Sequence, residues 1–407
     1  MNYSEAISWL YSTQTFGIKL GLENPTRLLR EYLAFPRHTT KVIQVAGTNG
    51  KGSTCAFIDS LARATGSRTG LFTSPHLVSY RERIQVSGQQ MPEETIAKGL
   101  SELRELVKDW EHHPTFFELT LALAMRYFYE QECELIVLEV GMGGRFDATT
   151  AVPSDVAVLT PVDLDHQQWL GDTLTAIAGE KSAIFREGKP AISAPQAPEA
   201  ARIIEQTANQ TRSPLTWISE PLRGYPLGLL GEHQASNAAV ALEALYAAGF
   251  EMNYDVVLSG LSKATHPGRF EIISPNEDQS IILDIAHNPH ATRSLVASLR
   301  KHFPKQKPAL IFGAAGSKEI DPMLEMLEEV AGEIHFTPIN SPRSTPTDTL
   351  FEHTPEQGKE RCRQHSNVKA ALLACEKAPL VLVTGSAFLV GETKALLEES
   401  EHLASSQ

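Results

Sequence analysis

The sequence predicts an α/β protein of two units, an N-terminal doubly wound parallel sheet followed by a smaller, Rossmann-like α/β sheet. Short β-branched runs recur at Val42 to Ala46, Leu135 to Val140, Asp155 to Thr160, Ile281 to Ile285, Ala309 to Phe312 and Leu380 to Thr384. Such near-continuously apolar runs read as parallel strands covered by helices on both faces. Segments of helical period, Glu93 to Asp109, Glu118 to Glu130 and Ala235 to Ala248, stand between them as crossovers. A chain of 407 residues, 42% of them hydrophobic, is also more comfortable as two domains than as one.

The boundary is expected at Thr265-His266-Pro267-Gly268, where a helical pattern ends in Pro-Gly and a new series of strands begins. This divides the chain into 1–267 and 268–407. With 49 acidic against 36 basic residues and a net charge of −13, the bulk electrostatics attract neither nucleic acid nor an anionic membrane. An anionic substrate must then be held by local cations, a metal or a helix N-terminus. Cys55, Cys133, Cys362 and Cys375 are scattered and form no C-x-x-C pair, which argues against a zinc site and a disulfide framework. The first residues, MNYSEAISWLYSTQTF, lack the basic flank and apolar run of a signal peptide, and no run of about 18 apolar residues occurs. A cytoplasmic monomer is the expectation, with HLASSQ as a frayed tail.

The strand Val42 to Ala46 runs into Gly47-Thr48-Asn49-Gly50-Lys51-Gly52-Ser53-Thr54 and then into a helix. The three glycines let the backbone curl so that its N–H groups face an anion, Lys51 adds a charge, and the Ser53 and Thr54 hydroxyls can reach phosphate or Mg²⁺. The segment departs from G-x-x-x-x-G-K-[ST], because Val45 replaces the first Gly and Gly52 follows the lysine. The coincidence of turn, lysine and hydroxyl favours a phosphate cradle over a plain glycine turn. The N-terminal unit is therefore expected to be a P-loop-type ATPase domain.

Other polar residues gather where strands should end. Thr73-Ser74-Pro75-His76-Leu77 follows a short strand and would place the Ser74 hydroxyl beside the cradle. Glu139 closes the strand Leu135 to Val140 ahead of a glycine turn. A carboxylate there is costly unless paired or bound to metal, so Glu139 is a Mg²⁺ candidate, with an ion pair to Arg145 as the alternative. His166 could ligate a second ion through a neutral ring nitrogen, although a lone loop histidine is more often a surface residue. Lys181, beside Glu180, reads by pattern as a solvated lysine. The second half adds Asn237 on a helix, Arg269 in the expected linker, and Asp284 and His287 after a strand. The Arg269 guanidinium could close on a polyphosphate held by the first domain, and together these positions describe a cleft.

The motif order resembles the folylpolyglutamate synthase and dihydrofolate synthase family of the Mur ligase superfamily over nearly the whole chain. It runs from FGIKLGLENPTRLL at 16–29 through AGTNGKGS, TSPHL, LEVGMGGRFDAT, LDH, EKSAIF, GEHQASNA, PGRFE and DIAHNP to VTGSAFLVGE at 383–392. The resemblance implies ATP held by Gly47 to Thr54 with Asn237, Arg269, Asp284 and His287. It implies Mg²⁺ at two positions, one on Ser74 and Glu139, the other on Glu139, His166 and a carbamylated Lys181. Lys51, Lys181, His166 and Arg269 would serve catalysis. Gly21, Leu22, Glu23, Phe116, Phe117, Glu118, Leu119, Phe146, Asp147 and Ala148 would line the pterin pocket. Thr150 stands in place of the Asn of DATN, Ser182-Ala183 in place of Ala-Gly, and Ile285 in place of the Gly of DGAHNP. FGAAGSKEID at 312–321 lacks the usual Asp-Lys-Asp, and the stretch from Pro190 to Gly231 is short.

The implied reaction joins L-glutamate to dihydropteroate or to reduced folates through an acyl phosphate, because a carboxylate does not condense with an amine unaided. The rivals are folylpolyglutamate synthesis alone, a cell-wall amino-acid ligase of the same superfamily, and a nucleotide switch without ligase activity. The GKGS loop and the GIKLGLE segment speak against the cell-wall ligase, and the lack of N-K-x-D speaks against a guanine-nucleotide switch.

Overall fold

The computed structural model describes residues 1–16, 21–316 and 320–399. Gly17 to Leu20 of the N-terminal motif, Ser317 to Glu319, and the HLASSQ tail lie outside the described residues. Met1–Ser74, Arg81–Gly228 and Ala235–Ala264 form one compact unit; Pro75–Tyr80, Leu229–Gln234 and the chain from Thr265 onward form the other.

The first unit is built on eight strands: β1 Lys41–Ala46, β2 Thr69–Phe72, β3 Ile84–Val86, β4 Gln89–Gln90, β5 Leu135–Glu139, β6 Val156–Leu159, β7 Ala191–Ser193 and β8 Leu215–Trp217. Their order is β4-β3-β2-β5-β1-β6-β7-β8. β1 lies between β5 and β6, parallel to both, with Val45 opposite Glu139 and Ala46 opposite Leu159. The parallel expectation fails only at one edge, where β3 and β4 run antiparallel. Ser87 and Gly88 between them have φ +49° and +78°, as a tight two-residue hairpin turn requires.

β1 delivers the chain into helix Lys51–Ala64, which is buried from Gly52 to Ala62. Helix Tyr254–Lys263 comes so close on its outer side that a Cβ on Gly260 would lie 2.7 Å from Leu61 Cα. Gly260 is thus required by helix packing. It also receives the Ser60 hydroxyl on its carbonyl at 2.7 Å. These contacts fix the axis of the helix whose N-terminus carries the glycine loop.

The second unit holds β9 Glu271–Asn276, β10 Gln279–Leu283, β11 Ala309–Phe312, β12 Ile334–Phe336, β13 Cys362–Gln364 and β14 Leu380–Thr384, in the order β13-β12-β11-β14-β10-β9. All pairs are parallel except β9 with β10. Alternation along the strands sends Ile282, Leu310 and Leu382 into one core with Leu295 and Leu324. Ile281, Ile311 and Val383 enter the other core, with Leu389 and Val390. All four cysteines are buried thiols. Among the described residues no helix is long and apolar enough to cross a membrane.

Candidate active site

Two glycines shape the loop after β1. Gly47 has φ +147°, and a Cβ there would fall 1.9 Å from Thr160 Oγ1; Gly50 has φ +89°, and its Cβ would fall 2.7 Å from Asn237 Oδ1. Neither position tolerates a side chain. Thr48 fastens the loop to the segment after β6: its N–H donates to the Pro161 carbonyl at 2.9 Å, and its hydroxyl exchanges hydrogen bonds with the Asp163 backbone at 3.0 Å. The loop therefore leads into the N-terminus of the buried helix at the carboxyl end of a central parallel strand, where α/β sheets receive ligands.

Two lysines converge on this loop. Lys51 Nζ donates to the carbonyls of Gly47 and Thr48, each at 3.1 Å, and Lys181 Nζ reaches the same Gly47 carbonyl at 2.9 Å. Lys181 is only 3% exposed. Burial first, and the Lys51 charge second, bring its pKa from 10.5 down to about 7, with Asp165 and Asp147 opposing. The surface reading of Lys181 is corrected here: helix Leu174–Ser182 turns it inward, while Glu180 faces out and pairs with Arg145 at 2.9 Å. That pair also removes the alternative in which Arg145 neutralises Glu139.

Glu139 is buried at the end of β5, and its Oε2 accepts the Ser74 N–H at 2.9 Å. The Thr54 hydroxyl is fully buried without a hydrogen-bond partner among the described residues. His166 adopts φ +49° at the start of helix Gln167–Leu170, its imidazole 41% exposed and 3.6 Å from the Asp165 carboxylate. Among the described residues no cluster of three or more His, Cys, Asp or Glu side chains is arranged for a metal. Ser74, Glu139, His166 and Lys181 offer one hydroxyl, one carboxylate, one imidazole and one amine. The first three fit Mg²⁺ only where phosphate oxygens and water complete the shell, which is how Mg²⁺ is usually held, and the amine, a donor to the Gly47 carbonyl, does not ligate unmodified.

The positions named for the pterin pocket separate by burial. Gly21, at φ +149°, leads through Leu22 into helix Glu23–Glu31, and Glu23 is exposed. Phe116, Glu118 and Leu119 are buried in helix Phe116–Glu130. Glu118 accepts the Thr115 N–H at 2.6 Å while Thr115 Oγ1 accepts the Glu118 N–H, a capping box. Phe117 lies 5.5 Å from the Phe72 ring and closes on Gly141, where a Cβ would meet it at 2.8 Å. Phe146 is 44% exposed, whereas Asp147 and Ala148 are buried. The Asp147 carboxylate accepts the N–H groups of Gly141, Met142 and Thr149, each at 3.0 Å, and the Thr149 hydroxyl at 2.5 Å. Burial raises its pKa against those bonds.

In the second unit the PGRFE and DIAHNP segments meet. Asp284 accepts the Phe270 N–H at 2.8 Å through one oxygen and the Ala286 N–H at 2.9 Å through the other. Desolvation raises its pKa; the Arg269 charge and the two bonds pull it back. Phe270, φ +49°, is held in a conformation costly for a bulky residue. His287 Nδ1 lies 2.9 Å from the Ile285 carbonyl. Glu271 accepts the Gly268 N–H at 2.8 Å and pairs with Lys394. Sequence reading missed Thr160 and Asp163 as partners of the loop, although both stand in the polar cluster that ends β6.

Residues 45–216 match the Mur ligase middle domain, and residues 268–387 match the glutamate ligase domain of Mur ligases. The dihydrofolate synthase/folylpolyglutamate synthase of Escherichia coli (strain K12) is 34% identical over an alignment covering 96% of this chain and 94% of its own length. Escherichia coli FolC, solved in complex with DHPP and ADP, matches with a TM-score of 0.85 at 33% identity, covering 97% of this chain and 98% of that one. The bifunctional folylpolyglutamate synthase/dihydrofolate synthase of Yersinia pestis, solved with AMPPNP and Mn ion, matches at 0.87 and 31%, covering 98% of each chain. With ligase domains at both ends and relatives matched along nearly their full length, this chain belongs to the dihydrofolate synthase/folylpolyglutamate synthase family of Mur ligases.

Proposed function

We propose that this ATP-dependent ligase of folate metabolism carries both activities of its bifunctional relatives: it adds L-glutamate to dihydropteroate and to the γ-carboxylate of (poly)glutamylated folates. The observation that carries the reading is the glycine loop at the N-terminus of a buried helix with the Lys51 ammonium folded onto it, a cradle suited to a polyphosphate.

Gly47 to Thr54 take the phosphates of ATP, and Lys51 neutralises charge on the phosphoryl group as the acceptor carboxylate attacks it. The product of that step is an acyl phosphate on the substrate. ADP leaves in that step as the bond from the γ-phosphorus to the bridging oxygen breaks; the glutamate α-amine then attacks the acyl carbon, the C–O bond to phosphate breaks, and amide, phosphate and a proton result. Bound Mg²⁺ supplies Lewis-acid neutralisation of phosphate oxygens, on Ser74 and Glu139 and at a second position on Glu139, His166 and Lys181. For Lys181 this requires a carbamate: its amine adds to CO₂ and loses a proton, leaving oxygens that can ligate. Its low pKa supports this, because much of the amine is uncharged near neutrality.

Asn237, Arg269, Asp284 and His287 serve as nucleotide contacts, and Asn237 selects adenine with its amide donor and acceptor. Gly21 to Glu23, Phe116 to Leu119 and Phe146 to Ala148 line the acceptor pocket. The protein acts as a cytoplasmic monomer, with ATP work in 1–267 and glutamate ligation in 268–407.

The test supplies ATP, Mg²⁺ and L-glutamate with dihydropteroate in one tube, a reduced folate in a second and a nucleotide-linked muramoyl acid in a third, and weighs the products. One added glutamate per ADP in the first two tubes is expected. ADP release that ignores glutamate, or product in the third tube alone, overturns the reading.

A further inference from the structure

Gln44 interrupts the apolar run of β1 and is fully buried. Its Nε2 donates to Thr149 Oγ1 at 3.0 Å and to Thr150 Oγ1 at 2.8 Å. The orientation of that amide is fixed by chemistry. Thr149 spends its hydroxyl proton on Asp147, and Thr150 spends its own on the Gly144 carbonyl at 2.7 Å. Both hydroxyls are left as acceptors, so the NH₂ must face them, and Oε1 remains buried without a partner among the described residues.

The network continues into the turn after β5. Asp147 gathers the Gly141 and Met142 N–H groups, and Arg186 Nη2 supports Thr150 and Val152 through their carbonyls. This turn touches three parts of the site. It leaves Glu139 directly, it abuts Phe117 at Gly141, and it seats the helix of Lys181, since a Cβ on Gly144 would lie 2.6 Å from the Glu180 carbonyl oxygen. A buried polar side chain with one fully committed orientation thus ties the strand that carries the phosphate loop to the turn that carries Phe146.

We propose that Gln44 is a positioning residue for the acceptor substrate, setting the turn from Gly141 to Ala148 through Thr149, Thr150 and Asp147. The inference rests on the ligase reading above. It does not require Gln44 to touch any substrate.

Gln44→Leu keeps the volume and removes both donors; Gln44→Glu faces two committed hydroxyls with acceptors, and its effect should be larger. In Gln44→Leu the KM for dihydropteroate or folate should rise about tenfold, the order expected from one or two buried hydrogen bonds. Affinity for a non-hydrolysable ATP analogue, read by titration, should stay within about twofold. Thr149→Val should reproduce the split while Thr149→Ser, which keeps the hydroxyl, restores it; this pair decides the matter if the Gln44 variants do not fold. A fall in thermal stability with acceptor KM unchanged, or equal losses for acceptor and nucleotide, overturns the role of Gln44. A wild type that shows no glutamate-dependent ADP release sinks the ligase reading, and this inference with it.

Discussion

The glycine loop of the first unit and the Arg269–Asp284 turn of the second stand at equivalent ends of parallel sheets, yet they treat charge in opposite ways. In the turn, the Asp284 carboxylate is engaged by two backbone N–H groups and faced by Arg269. In the loop, two ammonium groups share one carbonyl, and a buried lysine is held near its point of deprotonation. A folded protein keeps like charges together only against a cost, which is relieved when an anion arrives or when one of the amines gives up its proton. The loop awaits an anion, whereas the Asp284 carboxylate of the turn is already held by two backbone donors.

The largest effects should come from breaking the loop. Lys51→Ala is expected to lower kcat/KM for ATP by on the order of 10²–10³, and Glu139→Ala to abolish ligation at saturating Mg²⁺, both with the circular dichroism of a folded chain. Normal turnover in Lys51→Ala would move the phosphate site elsewhere, and in Glu139→Ala it would reject that residue as a metal ligand.

Lys181 sharpens the contrast. Lys181→Ala should lose most activity, and a short carboxylic acid should partly restore it by filling the space of the carbamate. Intact mass of enzyme prepared with bicarbonate should show the modification; unmodified Lys181 together with full activity in the variant would end the idea. Stability carries an independent signature. Lys181 binds its proton less readily folded than unfolded, so between about 7 and 10.5 unfolding takes up a proton and the fold gains stability as pH rises. Below about 7 both states are charged and the cost is constant. Against Lys181→Met, in buffer free of metal and bicarbonate, the wild type's deficit should therefore shrink as pH climbs through that window. A deficit that stays constant would mean that the buried amine is protonated throughout.

The smallest effect is on the stability of the Arg269–Asp284 turn. Asp284→Asn places an NH₂ against one of two backbone donors and should destabilise the protein by about 1–3 kcal/mol, read from urea unfolding. An unchanged midpoint would show that the two hydrogen bonds contribute little.

How much of this was legible followed from how each residue is satisfied. Ala309–Phe312 and Leu380–Thr384 stand out in the sequence because every residue is buried, so the apolar run has no gap. Gln89–Gln90 and Glu271–Asn276 do not, because edge strands expose most of their side chains and polar sequences suffice there. The glycine loop was readable because Gly47 and Gly50 are demanded by backbone geometry. The burial of Lys181 was not, since its helix carries small residues on several faces and only tertiary packing selects the buried one. Gln44 carries no signal in the sequence, because its meaning depends on two threonines more than a hundred positions away.

The burial of all four cysteines gives the enzyme an internal clock. Cys55 lies on the loop's own helix and Cys133 just ahead of β5, while in the other unit Cys362 opens β13 and Cys375 caps helix Val368–Ala374. A thiol reagent can modify each only when its surroundings open, so the rate of alkylation at each sulfur reports the local opening free energy of its own unit under native conditions. Nucleotide that binds the loop should slow Cys55 most. The two C-terminal thiols, timed in the same tube, show whether protection travels from one sheet to the other.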